Sequence, residues 1–273
     1  MSVDHYENFP VASILLPRRI RRAVEVIYFF ARQADDFADE GDLPNSERLA
    51  LLDEFRVELK RIEQGEPTQS PLFEALGDVV KKYQLPIQLL HDLLDAFSQD
   101  VVKKRYDNFN ELQDYCSRSA NPVGRLLLHL YGAATTQNLI YSDQICTSLQ
   151  LINFWQDVQK DYAMARIYLP QDDMARFGVS EAQIAEGRVD QAWQELMRFQ
   201  LGRARTMMQA GAPLGTILDG RIGLEMRLII AGGNRILNKL EHVHYDMFKH
   251  RPVLHPHDWL IMIFNSAFFR FKT

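Results

Sequence analysis

Two acidic stripes set inside otherwise apolar helical segments constrain this chain more than any other feature. The first is Asp35-Asp36-Phe37-Ala38-Asp39, and the second, more than a hundred residues later, is Asn153, Asp157 and Asp161. At 100° per residue, Gln150, Asn153, Asp157 and Asp161 project within about 80° of one another, and Tyr28, Arg32, Asp35 and Asp39 form a similarly narrow stripe. The other positions of these segments are apolar nearly all round: Val24, Val26, Ile27, Phe29, Phe30, Ala34 and Phe37 in one, and Ile145, Leu149, Leu151, Ile152, Trp155 and Val158 in the other. A helix of that kind is surrounded by protein rather than water. The acids are therefore expected to point into an internal cavity.

That placement is costly unless something cationic sits there. Like charges at i,i+4 repel, and Asp35, Asp36, Asp39 and Glu40 crowd the last turn before Gly41, where the helix dipole disfavours negative charge by about 0.3–1 kcal/mol per group. Hard divalent cations would reward the arrangement, Mg²⁺ above all, because it is held by one or two carboxylates together with substrate phosphate oxygens. A solvated acidic helix face explains either stripe alone. Two inward stripes, with Arg32 beside one, outweigh that explanation.

Nearly everything else reads as helix. Helical periodicity fills 17–39, 46–64, 70–83, 87–104, 110–131, 142–162, 180–186, 189–211 and 215–242. Gly41, Gly65-Glu66-Pro67, Pro86, Gly187 and Gly211-Ala212-Pro213 are the stops, with Pro17 in a first turn and Ser46, Ser142 and Ser180 as starts. No linker, repeat or low-complexity tract interrupts the chain, so a single all-α domain over 1–273 with a central cavity is expected. The net charge of −5 comes without a basic block that would suit nucleic acid. Cys116 and Cys146 lack metal spacing and read as core thiols in a reducing compartment, which points to the cytoplasm. There is no signal peptide pattern at the N-terminus, and the apolar run 259–269, broken by Asn265, is too short to span a bilayer. A final core helix is expected there, with peripheral contact at the inner face of a membrane as the alternative.

Lesser features carry less. Five of the eight histidines fall between His242 and His257, but one Glu-x-x-His is half of what a di-iron bundle requires. Arg18, Arg19, Arg21 and Arg22 form a basic cluster at a helix start, read as solvated surface or as an anion contact. Gly232-Gly233 inside a helical run is read as close helix packing.

The spacing around the acids resembles the squalene and phytoene synthase family. The matching motifs are Tyr28-x-x-Ala31-Arg32-x-x-Asp35-Asp36-x-x-Asp39, then Tyr115-Cys116 leading into Val123-Gly124, then Gln150-Leu151-x-Asn153-x-x-x-Asp157-Val158-x-x-Asp161, then Arg166-Ile167-Tyr168-Leu169-Pro170. They keep their order over most of the chain. The resemblance implies the all-α isoprenoid synthase-type bundle, in which two aspartate-rich helices hold Mg²⁺ against a prenyl diphosphate. Carried over residue by residue, it implies Mg²⁺ ligands at Asp35, Asp36, Asp39, Asp157 and Asp161, with Asn153 assisting. It also implies diphosphate contacts from Arg32 and Tyr28, a tyrosine near the reacting carbons at Tyr115, and substrate contacts from Phe9, Arg21, Asp100 and Gln150.

Departures from the common pattern narrow the expectation. Gln156-Asp157-Val158-Gln159-Lys160-Asp161 stands where most members read Arg-Asp-Val-x-Glu-Asp, and Asn121-Pro122 replaces the usual small pair before Val-Gly. The opening His5-Tyr6-Glu7-Asn8-Phe9-Pro10 together with Asn153-Phe154-Trp155-Gln156 is most similar to bacterial hydroxysqualene synthases of the hopanoid route. That similarity implies ionisation of presqualene diphosphate, supplied by a partner presqualene diphosphate synthase, with capture of the cation by water and no NADPH. Tyr115, Ser119 and Asn121 are the candidates to hold that water, near an expected kink at Pro122. The alternatives are a head-to-head condensing synthase using two prenyl diphosphates and, outside enzymes, a helical lipid-binding or assembly factor.

Overall fold

The computed structural model describes residues 16–268. Among these it forms fourteen helices and no strand: α1 (Arg18–Asp39), α2 (Asn45–Gln64), α3 (Pro71–Tyr83), α4 (Gln88–Val102), α5 (Phe109–Ser119), α6 (Asn121–Tyr131), α7 (Thr136–Gln156), α8 (Val158–Ala163), α9 (Gln171–Phe177), α10 (Glu181–Ala185), α11 (Gln191–Gly211), α12 (Leu214–Ile217), α13 (Gly220–His242) and α14 (Pro256–Phe268). Phe9 and the His5–Pro10 motif lie outside the described residues.

Local chemistry sets most boundaries. Ser70 accepts the Phe73 N–H at 3.5 Å with Pro71 in the first turn, Asn108 accepts the Glu111 N–H at 3.1 Å, and Ser180 accepts the Gln183 N–H at 3.2 Å. Gly65 closes α2 at φ 70°, a left-handed position that costs glycine little.

Four expectations need correction. The expected helix over 110–131 is two, α5 and α6, separated at Ala120. Pro122, in the first turn of α6, has no N–H for a continuous ladder. Ser142 starts nothing: Thr135 caps α7 by accepting the Asn138 N–H at 3.2 Å, and Ser142 is buried inside the helix. It faces Gly124, where an added Cβ would stand 2.3 Å from Ser142 Oγ and 2.5 Å from Cys146 Sγ, so α6 and α7 approach as closely as backbone allows. The span 142–162 also breaks, at Asp157 (φ −105°, ψ 12°), into α7 and α8. The span 215–242 divides into α12 and α13 around Leu218 and Asp219, and the seven-residue α9 is not among the expected helices.

Two apolar clusters make the core. The first gathers α1 to α4 with Leu126 and Leu130 of α6, including Ile20, Phe30, Leu52, Leu76 and Leu90. The second gathers α5 and α7 to α13 with Leu128 of α6, around Trp155, Trp193, Leu196 and Leu237. Gly233 of α13 lies where a Cβ would meet Met208 Cε of α11 at 2.6 Å, in keeping with its packing role. Cys116 is buried and Cys146 is half-buried, and both thiols are free.

The segment after 255 is not a final core helix. On α14, Asp258 and Met262 are buried, while Leu260, Ile261, Ile263 and Phe264 are exposed. Asp258 docks the helix: its carboxylate accepts from Arg235 Nε at 2.7 Å, from Lys239 Nζ at 2.5 Å and from the His255 N–H at 2.8 Å. Phe29, expected inside, is 58% exposed, which leaves one face of α1 open. No helix among the described residues is long and apolar enough to cross a membrane.

Candidate active site

Between the two clusters lies a cavity of about 550 Å³, walled by α1, α4, α5, α6, α7 and α13. Its middle is hydrocarbon, supplied by Val24, Ile27, Leu93, Phe97, Leu126, Leu127 and Ile229. At one end it receives Tyr28, Arg32 and Asp35 from α1, Asp100 from α4, Tyr115 and Ser119 from α5, and Gln150 and Asn153 from α7. Eight of the expected residues thus meet at that end. Asp36, Asp39, Asp157 and Asp161 stand beyond that end, outside the cavity lining. Arg21 does not line the cavity, and its Nε donates to Leu16 O at 3.1 Å.

Each stripe holds one carboxylate tied to an arginine from elsewhere in the chain. Arg166 donates both Nη atoms to Asp39, one of them at 2.9 Å. Arg251 donates Nε to one Asp157 oxygen at 2.5 Å and Nη2 to the other at 2.9 Å. Arg32 is shared among three acids, at 3.3 Å from Asp35, 2.6 Å from Asp36 and 2.6 Å from Glu40. Asp35 and Asp161 are held above the usual carboxylate range. Burial, with the charge of Asp39 next, pushes Asp35 up to about 7, and Arg32 only partly opposes this. Burial, with the charge of Asp157 next, likewise pushes Asp161 up to about 7.

Asp100 anchors the aromatic part of the wall. Tyr115 donates its hydroxyl to Asp100 Oδ2 at 2.6 Å and Tyr168 donates to Oδ1 at 3.4 Å. Tyr168 stacks on Phe154 with ring centroids 3.7 Å apart. Burial pushes Asp100 up to about 6 against the Tyr115 hydrogen bond and the charge of Arg166. Burial also raises both tyrosines well above their usual range, so they remain phenols. Asn121 leaves the candidate set: it is buried away from the cavity and accepts from Thr147 Oγ1 at 2.9 Å. Ser119 Oγ is buried, lines the cavity and makes no hydrogen bond among the described residues.

The residues suit a hard cation without forming a complete cage. Among the described residues no three His, Cys, Asp or Glu side chains converge closely enough to hold a metal alone. Mg²⁺ does not require that, since it keeps waters and takes substrate phosphate oxygens beside one or two carboxylates. Two half-buried carboxyls, raised to about 7 first by desolvation and then by neighbouring acids, are oxygen donors that a divalent cation would relieve.

Several contributors escaped the sequence reading. Arg166 and Tyr168 lie inside a matched motif but had no assigned role there. Arg251 pairs with Asp157 across 94 residues, and no local pattern announces such a pairing. The same holds for Tyr131 and Glu225, which meet at the other end of the cavity.

An apolar cavity between helices, with carboxylates, arginines and phenols gathered at one end, defines an isoprenoid synthase-type helical bundle. The Squalene/phytoene synthase profile matches residues 3–258. A hydroxysqualene synthase of Rhodopseudomonas palustris is 34% identical over 95% of this chain and 87% of its own length. A phytoene synthase of Arthrospira platensis is 32% identical over 92% of this chain and 85% of its own. The crystal structure of squalene synthase HpnC from Alicyclobacillus acidocaldarius superposes with a TM-score of 0.82 at 34% identity, covering 88% of this chain and 90% of that one. The chain belongs to the squalene/phytoene synthase family, enzymes that act on prenyl diphosphates.

Proposed function

We propose that this enzyme ionises presqualene diphosphate and lets water capture the rearranged cation, giving hydroxysqualene and diphosphate. Asp35, Asp39, Asp157 and Asp161 would hold Mg²⁺, with Asp36 and Asn153 beside them. Bound there, Mg²⁺ supplies positive charge against the departing diphosphate. Arg32 and Tyr28 bind diphosphate oxygens, and a guanidinium does so with two parallel donors. The carbon–oxygen bond breaks with its electron pair leaving on diphosphate. The cation left behind lies among Val24, Ile27, Leu126 and Ile229, where no nucleophile competes with an admitted water.

The observation that carries the water step is the Ser119 hydroxyl, buried at the cavity wall without a hydrogen-bond partner among the described residues. A buried hydroxyl in that condition is stabilised by holding a water. That water's oxygen bonds to the cation and its proton passes to the released diphosphate. Asp100 and Tyr115 hold one another on the same wall, so Tyr115 presents its ring to the cation. Support for this branch also comes from Gln156, whose amide is buried and donates to Pro252 O at 2.7 Å where most members carry arginine. In this reading the substrate comes from a separate presqualene diphosphate synthase, in the hopanoid route, and the enzyme works in the cytoplasm or against the inner membrane face.

The test is presqualene diphosphate with Mg²⁺, without NADPH, in ¹⁸O-labelled water. The expected product is a C30 tertiary alcohol carrying the label. Squalene formed only with NADPH, or a C30 product from farnesyl diphosphate alone, refutes this reading. The second outcome favours the condensing reaction, which the similarity to a phytoene synthase keeps as the alternative.

A further inference from the structure

The cavity has a second polar pole that the proposed chemistry does not use. Tyr131, the last residue of α6, donates its hydroxyl to Glu225 Oε2 of α13 at 3.2 Å, and both residues line the cavity. The Tyr131 carbonyl accepts from Arg19 Nη2 at 3.5 Å, which fixes this pair beside the start of α1. Asp35 stands sixteen residues further along α1, about 24 Å away along a straight helix. Between the poles the wall is hydrocarbon, with Val24, Ile27, Leu93, Leu127, Leu130 and Met226. A prenyl chain anchored by its diphosphate at the acid pole therefore runs along that wall with its far end towards Tyr131 and Glu225.

We propose that the Tyr131–Glu225 pair is the length stop of the cavity, a specificity-determining element that sets how long a prenyl tail the enzyme accepts. The inference rests on the prenyl diphosphate reading of the acid pole. A tail that ends short of the pair leaves its hydrogen bond and hydration intact. A tail one isoprene unit longer presses hydrocarbon against a carboxylate and a phenol and strips their water without replacing it. Discrimination then comes from a penalty on the longer chain rather than from added grip on the shorter one. Burial and the neighbouring Glu225 both push the Tyr131 phenol above its usual range, so Tyr131 stays a neutral donor to Glu225.

The test is equilibrium binding of two unreactive analogues, the S-thiolodiphosphates of farnesol (C15) and geranylgeraniol (C20), by titration calorimetry with Mg²⁺. The parent is expected to bind the C15 analogue at least about tenfold more tightly than the C20 analogue. Glu225→Leu should bring the two within about threefold, mainly by improving C20. Glu225→Gln should keep the preference, because the amide still accepts from Tyr131. Tyr131→Phe removes only the hydroxyl, and its expected intermediate ratio guards against a Glu225→Leu protein that fails to fold. Equal affinities in the parent overturn the stop, as does a ratio unchanged in both Glu225→Leu and Tyr131→Phe. If neither analogue binds the parent, the stop falls, while the reading of the acid pole is decided separately by turnover of presqualene diphosphate.

Discussion

Replacing Asp35 by asparagine is expected to make the metal-free protein more stable while removing most of its turnover. Asp35 is held at about 7 by burial and by Asp39, Asp100 and Asp36, with Arg32 opposing. A carboxyl whose folded pKa lies above its unfolded value binds more protons folded than unfolded. Its ionisation therefore costs stability as pH rises from about 4 to about 7, and costs nothing below that window. The interval from 3.8 to about 7 corresponds to roughly 4 kcal/mol at about 1.36 kcal/mol per pH unit. The Asp35 side chain is 40% exposed to the cavity, however, and screening by water there reduces the cost to about 1–2 kcal/mol. Asparagine keeps the shape without the charge. Urea unfolding in EDTA should place Asp35→Asn about 1–2 kcal/mol above the parent near pH 7.5, with the gap closing near pH 4.5, where the parent carboxyl is protonated. With Mg²⁺ and substrate, turnover should fall at least about a hundredfold, since on the proposed reading Asp35 would hold the Mg²⁺ that offsets the leaving-group charge. A variant less stable than the parent in EDTA near pH 7.5 would refute the argument that the fold bears the cost of this charge. Near-parental turnover would remove Asp35 from the site.

Three further outcomes are expected. Arg32→Lys keeps one positive charge but not the three-way reach to Asp35, Asp36 and Glu40 or the paired donors to diphosphate, so single-turnover diphosphate release should slow by about 10- to 100-fold; unchanged release makes Arg32 a counter-ion only. Ser119→Ala should leave diphosphate release within about threefold while shifting product from alcohol to alkenes formed by proton loss, read by gas chromatography; an unchanged alcohol fraction excludes Ser119 from water capture. Burial pushes the Asp258 carboxyl up, but hydrogen bonds from Lys239, His255 and Arg235 together hold it well below the carboxylate range. The stability it contributes is thus complete above the unfolded pKa of about 3.9 and is lost as pH falls below it, so Asp258→Asn should cost about 2 kcal/mol at pH 7 and progressively less below pH 4 by urea unfolding.

Periodicity located the acid-bearing helices because a narrow polar stripe on an apolar segment is a local signal. Tyr28, Arg32 and Asp35 and, on α7, Gln150 and Asn153 line the cavity where one stripe on each helix would put them. Breaks were harder to read. Asp157 ends α7 although its neighbours keep the helical period, and Ser142 resembles a start until Gly124 packs against it. The pairings Arg166–Asp39, Arg251–Asp157 and Tyr131–Glu225 join residues 127, 94 and 94 positions apart. Such contacts depend on how helices assemble, and residue spacing within one helix carries no trace of them. Arg21, named by the resemblance, stands outside the cavity lining, with its Nε donating to Leu16 O. The exposed apolar side of α14 looked like core because hydrophobic residues alone do not say which side meets a neighbour.

The division of the core into two clusters has a consequence for how this enzyme fails. Asp35 and Asp100 belong to helices of one cluster, and Tyr115 and Asn153 to helices of the other, with Asp157 at the junction of α7 and α8, so neither half alone assembles the reaction centre. Slippage between the halves by an ångström or two would leave helix content and most apolar burial intact. It would nevertheless pull the ligands, the arginines and the aromatic wall out of register. Catalysis is therefore the most sensitive gauge of inter-half docking: on gentle heating or dilute denaturant, activity should disappear before ellipticity changes.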